Sequence, residues 1–212
     1  MNIPLSFKCQ NPNCKEEMTV RLHLDATSFD WNCEYCGNTN YGFFGLEVTV
    51  GPLLLQRSFH EYKIEKDFPL SMVFAAMASE CELSRLYCEW RQIECEQANE
   101  PVDEEQFEEE LRNMGNIKVK IEEIGRKLVP CGIDQFCLGS AELKNTIETG
   151  FPGLKLGELP ESFQRSLFWP RNRILHYGQT QYGEGDASSC LNAARLGLEI
   201  LRQMDAKKRK EL

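Results

Sequence analysis

Histidine is scarce in this chain: only His23, His60 and His176 occur among 212 residues, so few side chains exchange protons near neutral pH. Long apolar runs are missing too. No stretch approaches the roughly 18 apolar residues that a membrane span needs, which excludes a membrane partner. The opening MNIPLSFKCQ lacks the apolar core of about 7 to 15 residues that marks a secretory signal, so a cytoplasmic location is expected. No internal repeat or low-complexity segment appears.

Cysteine, by contrast, is abundant. Without an export signal, ten cysteines point to buried thiols and metal-bound thiolates rather than to a disulfide scaffold. The formal charge is −9, but Glu94 to Glu110 alone holds nine acids and no base. Setting that segment aside leaves 24 acids against 24 bases, so the acidity is one local patch and does not exclude a nucleic-acid partner. Between Phe163 and Tyr182 the pattern reverses: Arg165, Arg171 and Arg173 stand among Phe163, Phe168, Trp169, Tyr177 and Tyr182 with no carboxylate. Such a surface suits a phosphodiester, with Arg165, Arg173 and Tyr177 as substrate-binding candidates. Three solvated arginines beside a core stripe of aromatics would give the same composition.

Along the chain, MTVRLHL, SFDWN and YGFFGLEVTV read as strands, and LLLQRSFHEYKI extends the β part to about Lys66. From Leu70 the apolar period becomes helical and persists to Asn99, before Pro101. A second helix is expected from Asp103, a good N-cap, through Val129, with Gly115 and Gly125 as local weak points. A short one is expected around SAELKNTIE, then an irregular Gly- and Pro-rich loop. Pro160 opens a third long helix that Pro170 kinks or restarts and Gly178 ends. The last helix begins after Asp186, and the basic end KKRKEL is expected to fray. The expected fold is mainly α: a small β domain of zinc-ribbon type over residues 1–66, and an up-and-down bundle of four to five helices over 67–212.

The β part contains CQNPNC and, after eighteen residues, CEYCG. Four thiolates from two short loops can close a tetrahedral zinc site, so Cys9, Cys14, Cys33 and Cys36 are the expected ligands of one Zn²⁺ per chain. With no open coordination position the ion is expected to be structural, and no catalytic metal is expected. Four residues between the first pair are more than the commoner two. His23 could replace a cysteine, although its place in MTVRLHL favours an ordinary strand residue. Cys81, Cys88 and Cys95 recur every seven residues and read as core, as do Cys131, Cys137 and Cys190.

RNRILHYG, Arg171 to Gly178, sets an arginine, an asparagine and a histidine within two helical turns. Asn172 shares a face with His176, whereas Arg171 is rotated from it by about 140°. A helix restarted at Pro170 would also aim free N–H groups at an anion. An arginine and a histidine five apart at a helix end also arise by chance. The pattern resembles the Arg-x4-6-His motif of HEPN domains, helical bundles many of which are metal-independent endoribonucleases with the motifs of two chains facing each other. That resemblance implies a homodimer acting on RNA, with Arg171 on the scissile phosphate, Asn172 as its polar companion and His176 moving protons. It implies a toxin or antiphage role, with an antitoxin or regulatory protein as a further partner. The alternative is an adaptor that binds nucleic acid or a protein partner without turnover. A DNA reader ranks lower, because the β part has only Lys8, Lys15 and Arg21 as bases.

Overall fold

The structure is a computed structural model and describes residues 2–9, 11, 13–14, 16–23, 28–43, 50–151 and 153–211. Its β part is two antiparallel hairpins. Strand β1 (Asn2–Lys8) pairs with β2 (Glu17–His23), with Asn2 opposite His23 and Lys8 opposite Glu17. Strand β3 (Ser28–Asn32) pairs with β4 (Thr39–Phe43), with Ser28 opposite Phe43. Among the described residues no ladder joins the two hairpins.

This corrects the expected zinc-ribbon domain. The hairpins do not merge into one sheet, and LLLQRSFHEYKI, expected as strand, is helical: α1 (Val50–His60) runs into a π-helical turn over Glu61–Glu65. Residues 44–49, the end of the expected YGFFGLEVTV strand, lie outside the described residues, as does Lys15. Helix α1 buries Gly51, Leu54 and Ser58. Its small residues let it approach the long helix α2 (Phe68–Ala98) closely. A Cβ on Gly51 would stand 3.0 Å from the Ala78 carbonyl oxygen. Ser58 Oγ donates to the Ser71 carbonyl at 2.8 Å, and Ser71 Oγ returns a bond to the Ser58 carbonyl at 2.9 Å.

Helix α2 starts where Asp67 accepts from the Leu70 N–H at 3.0 Å, and it stops at Asn99, whose φ of 56° is left-handed. The expected second helix is divided in two. Gly115, at φ 84°, separates α3 (Glu104–Asn113) from α4 (Ile117–Leu128), which Asn116 caps. The Gly at 125 breaks nothing. Beyond it, α5 (Gly132–Gly139) was not expected, and α6 (Ala141–Gly150) covers SAELKNTIE. The third long helix is a continuous run of α7 (Leu159–Phe163), a π-helical turn (Gln164–Phe168) and α8 (Trp169–Tyr177), ended by Gly178 at φ 62°. Helix α9 (Glu184–Lys210) begins two residues before Asp186, which accepts from the Gly183 N–H at 3.0 Å. The tail is not frayed before Lys210. Lys208 Nζ donates to the Lys127 carbonyl at 2.5 Å, and Arg209 pairs with Asp205 and Glu89.

The core is built on α2 against α9, with α4, α5, α7 and the second π-helical turn closing over them. Trp90, Leu86, Ile124, Leu128, Leu159 and Ile200 are all sealed from solvent. Among the described residues no helix is long and apolar enough to cross a membrane.

Part of the acidic segment has structural work. Tyr87 Oη donates to Glu110 Oε2 at 2.5 Å, and Arg91 donates to the same carboxylate from Nε at 3.0 Å while its guanidinium lies 5.2 Å above the Phe107 ring. These donors, Tyr87 first and Arg91 next, hold the Glu110 carboxyl down at about 2. A carboxyl depressed in the folded state adds stability above its unfolded value of about 4.5 and loses that share as pH falls toward 2. The variant Glu110→Gln is therefore expected to melt lower than the parent above about pH 4.5, with the gap closing as pH falls toward 2. Thermal melts across that window check it.

Candidate functional site

Two places in the molecule gather chemistry-bearing side chains. The first is the pair of hairpin turns. Cys9 and Cys14 sit in the β1–β2 turn, where the Cys9 N–H donates to the Glu16 carbonyl at 2.8 Å and the Cys14 N–H to the Asn11 carbonyl at 3.0 Å. Cys33 and Cys36 sit in the β3–β4 turn, closed by the Cys33 N–H on the Asn38 carbonyl at 2.9 Å and the Gly37 N–H on the Cys33 carbonyl at 2.8 Å. Gly37 makes this turn possible through its φ of 68°.

The turns meet sulfur to sulfur. Cys9 Sγ lies 3.6 Å from Cys36 Sγ, Cys14 Sγ lies 3.7 Å from Cys33 Sγ, and all four sulfurs fall within 4.8 Å of one another. A disulfide would need about 2.05 Å. Sulfurs at about 2.3 Å from a tetrahedral zinc stand about 3.8 Å apart, so the quartet has the dimensions of a metal site. The thiols of Cys36 and Cys14 are shifted in opposite directions. The Asn38 backbone leads in lowering Cys36 to about 7. At Cys14 the Glu16 backbone pulls the other way, but burial and the neighbouring thiols prevail and raise it to about 12. His23 occupies β2 opposite Asn2, and its side chain lies outside the described residues. The remaining cysteines follow the core reading in part: Cys95, Cys137 and Cys190 are buried, Cys81 and Cys88 are half-buried, and Cys131 is exposed.

The second place is α8. Its π-helical approach changes what was expected of Pro170. The Trp169 N–H is taken by the Gln164 carbonyl, so the chain enters α8 without a fresh helix start and the arginines, not free N–H groups, supply the positive charge. Arg171 is half-buried. Its Nη1 donates to Asn172 Oδ1 at 2.9 Å, its Nη2 stands 3.5 Å from Glu80 Oε2 on α2, and its buried Nε has no acceptor among the described residues. His176 lies exposed in the last turn, and the Gly178 N–H closes that turn on the Ile174 carbonyl at 3.1 Å. One α8 therefore ties Arg171 and Asn172 together but leaves His176 on its own, facing solvent.

Of the broader basic and aromatic stretch, only part is surface. Phe163 and Phe168 are core, and Tyr182 is half-buried with its hydroxyl unpartnered among the described residues. Arg165 is bound to Glu161 at 3.2 Å, which Lys118 also reaches. Exposed besides Arg165 are Trp169, Arg173, Leu175, His176 and Tyr177, and Arg173 forms no ion pair among the described residues. His60 caps nothing catalytic: its Nε2 is 3.1 Å from Glu65 Oε1 at the end of α1.

No family model, no curated protein and no solved structure matches the chain. The expected membership of the HEPN family and the zinc-ribbon assignment are accordingly withdrawn. The first rested on one hexapeptide that no match supports, and the second on a single β domain that the two hairpins and α1 replace. The comparisons lend no ribonuclease or hydrolase activity either, so any activity has to come from this chain's own residues.

Proposed function

We propose that the protein acts on RNA at α8, with two chains bringing their α8 helices together to make a metal-independent endoribonuclease. One observation carries this reading: α8 buries none of its residues and instead shows Trp169 at 47%, Leu175 at 53% and Tyr177 at 82% exposure beside Arg173 and His176. Apolar rings exposed to that degree next to cations suit stacked bases and phosphates, and they also suit a facing copy of the same helix.

RNA supplies its own nucleophile. A base removes the 2′-hydroxyl proton, the 2′-oxygen attacks phosphorus, and the 5′-oxygen leaves with a proton from an acid. Two imidazoles from two chains fill the roles of base and acid, and the two Arg171 guanidinium groups, released from Glu80, balance the charge on the pentavalent phosphorus. Each chain alone provides half of this set. Cleavage without added divalent cations, leaving a 2′,3′-cyclic phosphate, is the expected activity. His176→Ala is expected to slow it by about 10²- to 10⁴-fold. A variant that cuts RNA at the parent rate overturns the reading.

The Arg171–Glu80 pair favours a second reading, an adaptor that binds RNA without turnover, since an arginine held by a carboxylate is less ready for a phosphate. Salt-dependent binding with the RNA recovered intact selects it. In either case the four cysteines are assigned one structural Zn²⁺, because a closed set of thiolates leaves no position for substrate.

A further inference from the structure

Arg171 has a second neighbourhood. It lines a groove of about 760 Å³ bordered by α2, α3, α4 and the start of α1, whose walls also carry Arg85, Arg112 and Lys120. The facing carboxylates are Glu80, Glu82 and Glu108, so four cations meet three acids on a chain whose net charge is −9. Not all of those cations are available. Arg85 is committed to Glu82, at 2.7 Å and 3.1 Å, and to Glu89. Arg112, exposed in the last turn of α3, and Lys120, half-buried on α4, form no ion pair among the described residues. Arg171 meets its one carboxylate, Glu80, only at 3.5 Å, its other bond goes to neutral Asn172 at 2.9 Å, and its Nε lacks an acceptor among the described residues. Met77 and Leu111 give the same groove an apolar floor.

We infer that this groove is the track for the RNA strand that flanks the linkage held at α8, with Lys120 and Arg112 each taking one backbone phosphate. The inference rests on the RNA reading of α8 and extends it. Arg171 belongs to both α8 and the groove, so a strand whose central phosphate lies at Arg171 has its next phosphates carried past α4 and α3. The apolar floor then receives ribose and base faces, which carry no charge. Sequence preference is not expected here, because guanidinium and ammonium groups on phosphate read no base.

The test uses the full-length chain and a short fluorescein-labelled oligouridylate carrying 2′-O-methyl groups, so that binding is read without cleavage. In fluorescence anisotropy the double variant Arg112→Glu, Lys120→Glu is expected to bind at least about tenfold more weakly than the parent. The slope of log affinity on log salt is expected to shrink by about 1.4, or about 0.7 for each phosphate that is no longer neutralised. The matched double variant Arg195→Glu, Arg202→Glu, whose positions line a separate groove along α9, is expected to leave both quantities at parental values. Two results overturn the track: unchanged affinity and slope in the first variant, or equal weakening in the two variants. If His176→Ala still abolishes cleavage under either result, the α8 reading survives without the groove. A parent chain that binds no RNA at any salt overturns both.

Discussion

Removing metal from the zinc-loaded full-length chain, or changing Cys33 to serine, is expected to unfold the two hairpins while the helices persist. Two-stranded ribbons are marginal in water, and these two share no ladder among the described residues, so the approach of sulfur to sulfur at 3.6 Å and 3.7 Å is the contact expected to hold their turns together. A structural zinc in a small fold is worth about 10 to 16 kcal/mol in apparent binding free energy, far more than any one side-chain interaction. Cys33 is the sharpest single probe, being only 2% exposed and anchoring its turn through two backbone bonds. Amide exchange followed residue by residue should show protection disappearing across 2–8, 17–23, 28–32 and 39–43 and kept across 68–98 and 184–210. Release of one zinc per chain, read with a chromophoric chelator, should accompany it. Hairpins that stay protected without metal would refute the assignment, and so would a helical part that unfolds in the same step.

What could be read from the residues alone divides along physical lines. The cysteine spacings were legible because a tetrahedral ion fixes both ligand type and loop length, and the quartet meets in space as those spacings require. Asp103 was legible because capping is local chemistry, and the end of α2 at Asn99 because Pro101 follows it. Helix α1 was not. Its buried stripe is Gly51, Leu54 and Ser58, helical in spacing but mostly small or polar, so apolar periodicity missed it while half-buried Leu53 and Leu55 and exposed Phe59 imitated a strand. Helix α5 hides for a related reason, since only Ile133 and Cys137 are buried in its eight residues. The π-helical turn before Pro170 carries no residue pattern that marks it. The pairing of Arg171 with Glu80 links positions 91 apart, and no local rule reaches that far. That unseen carboxylate is also what distinguishes a ready phosphate site from a restrained one.

The largest single-residue effect in the helical part is expected at Trp90. It is 1% exposed at the crossing of α2 and α9, its Nε1 donates to Asp205 Oδ1 at 2.8 Å, and Lys208 and Arg209 lie over the ring at 4.2 Å and 5.4 Å. Trp90→Ala removes a large buried ring and strands an acceptor, which costs about 3 to 5 kcal/mol and lowers the melting temperature by roughly 10 °C. Trp90→Phe separates the two effects. It keeps most of the apolar volume and deletes the donor, while Asp205 retains Arg209 at 2.9 Å, so its cost should be only about 1 to 2 kcal/mol. The basic end of α9 reports the change locally. With the ring gone, Lys208 and Arg209 lose the surface they lie on, and amide protection should fall across 207–210 in the alanine variant but not in the phenylalanine one. Equal destabilisation by both would mean that the Asp205 bond, not the buried ring, fixes the crossing. Only if the ring dominates does the tail stay helical because of packing rather than its own propensity.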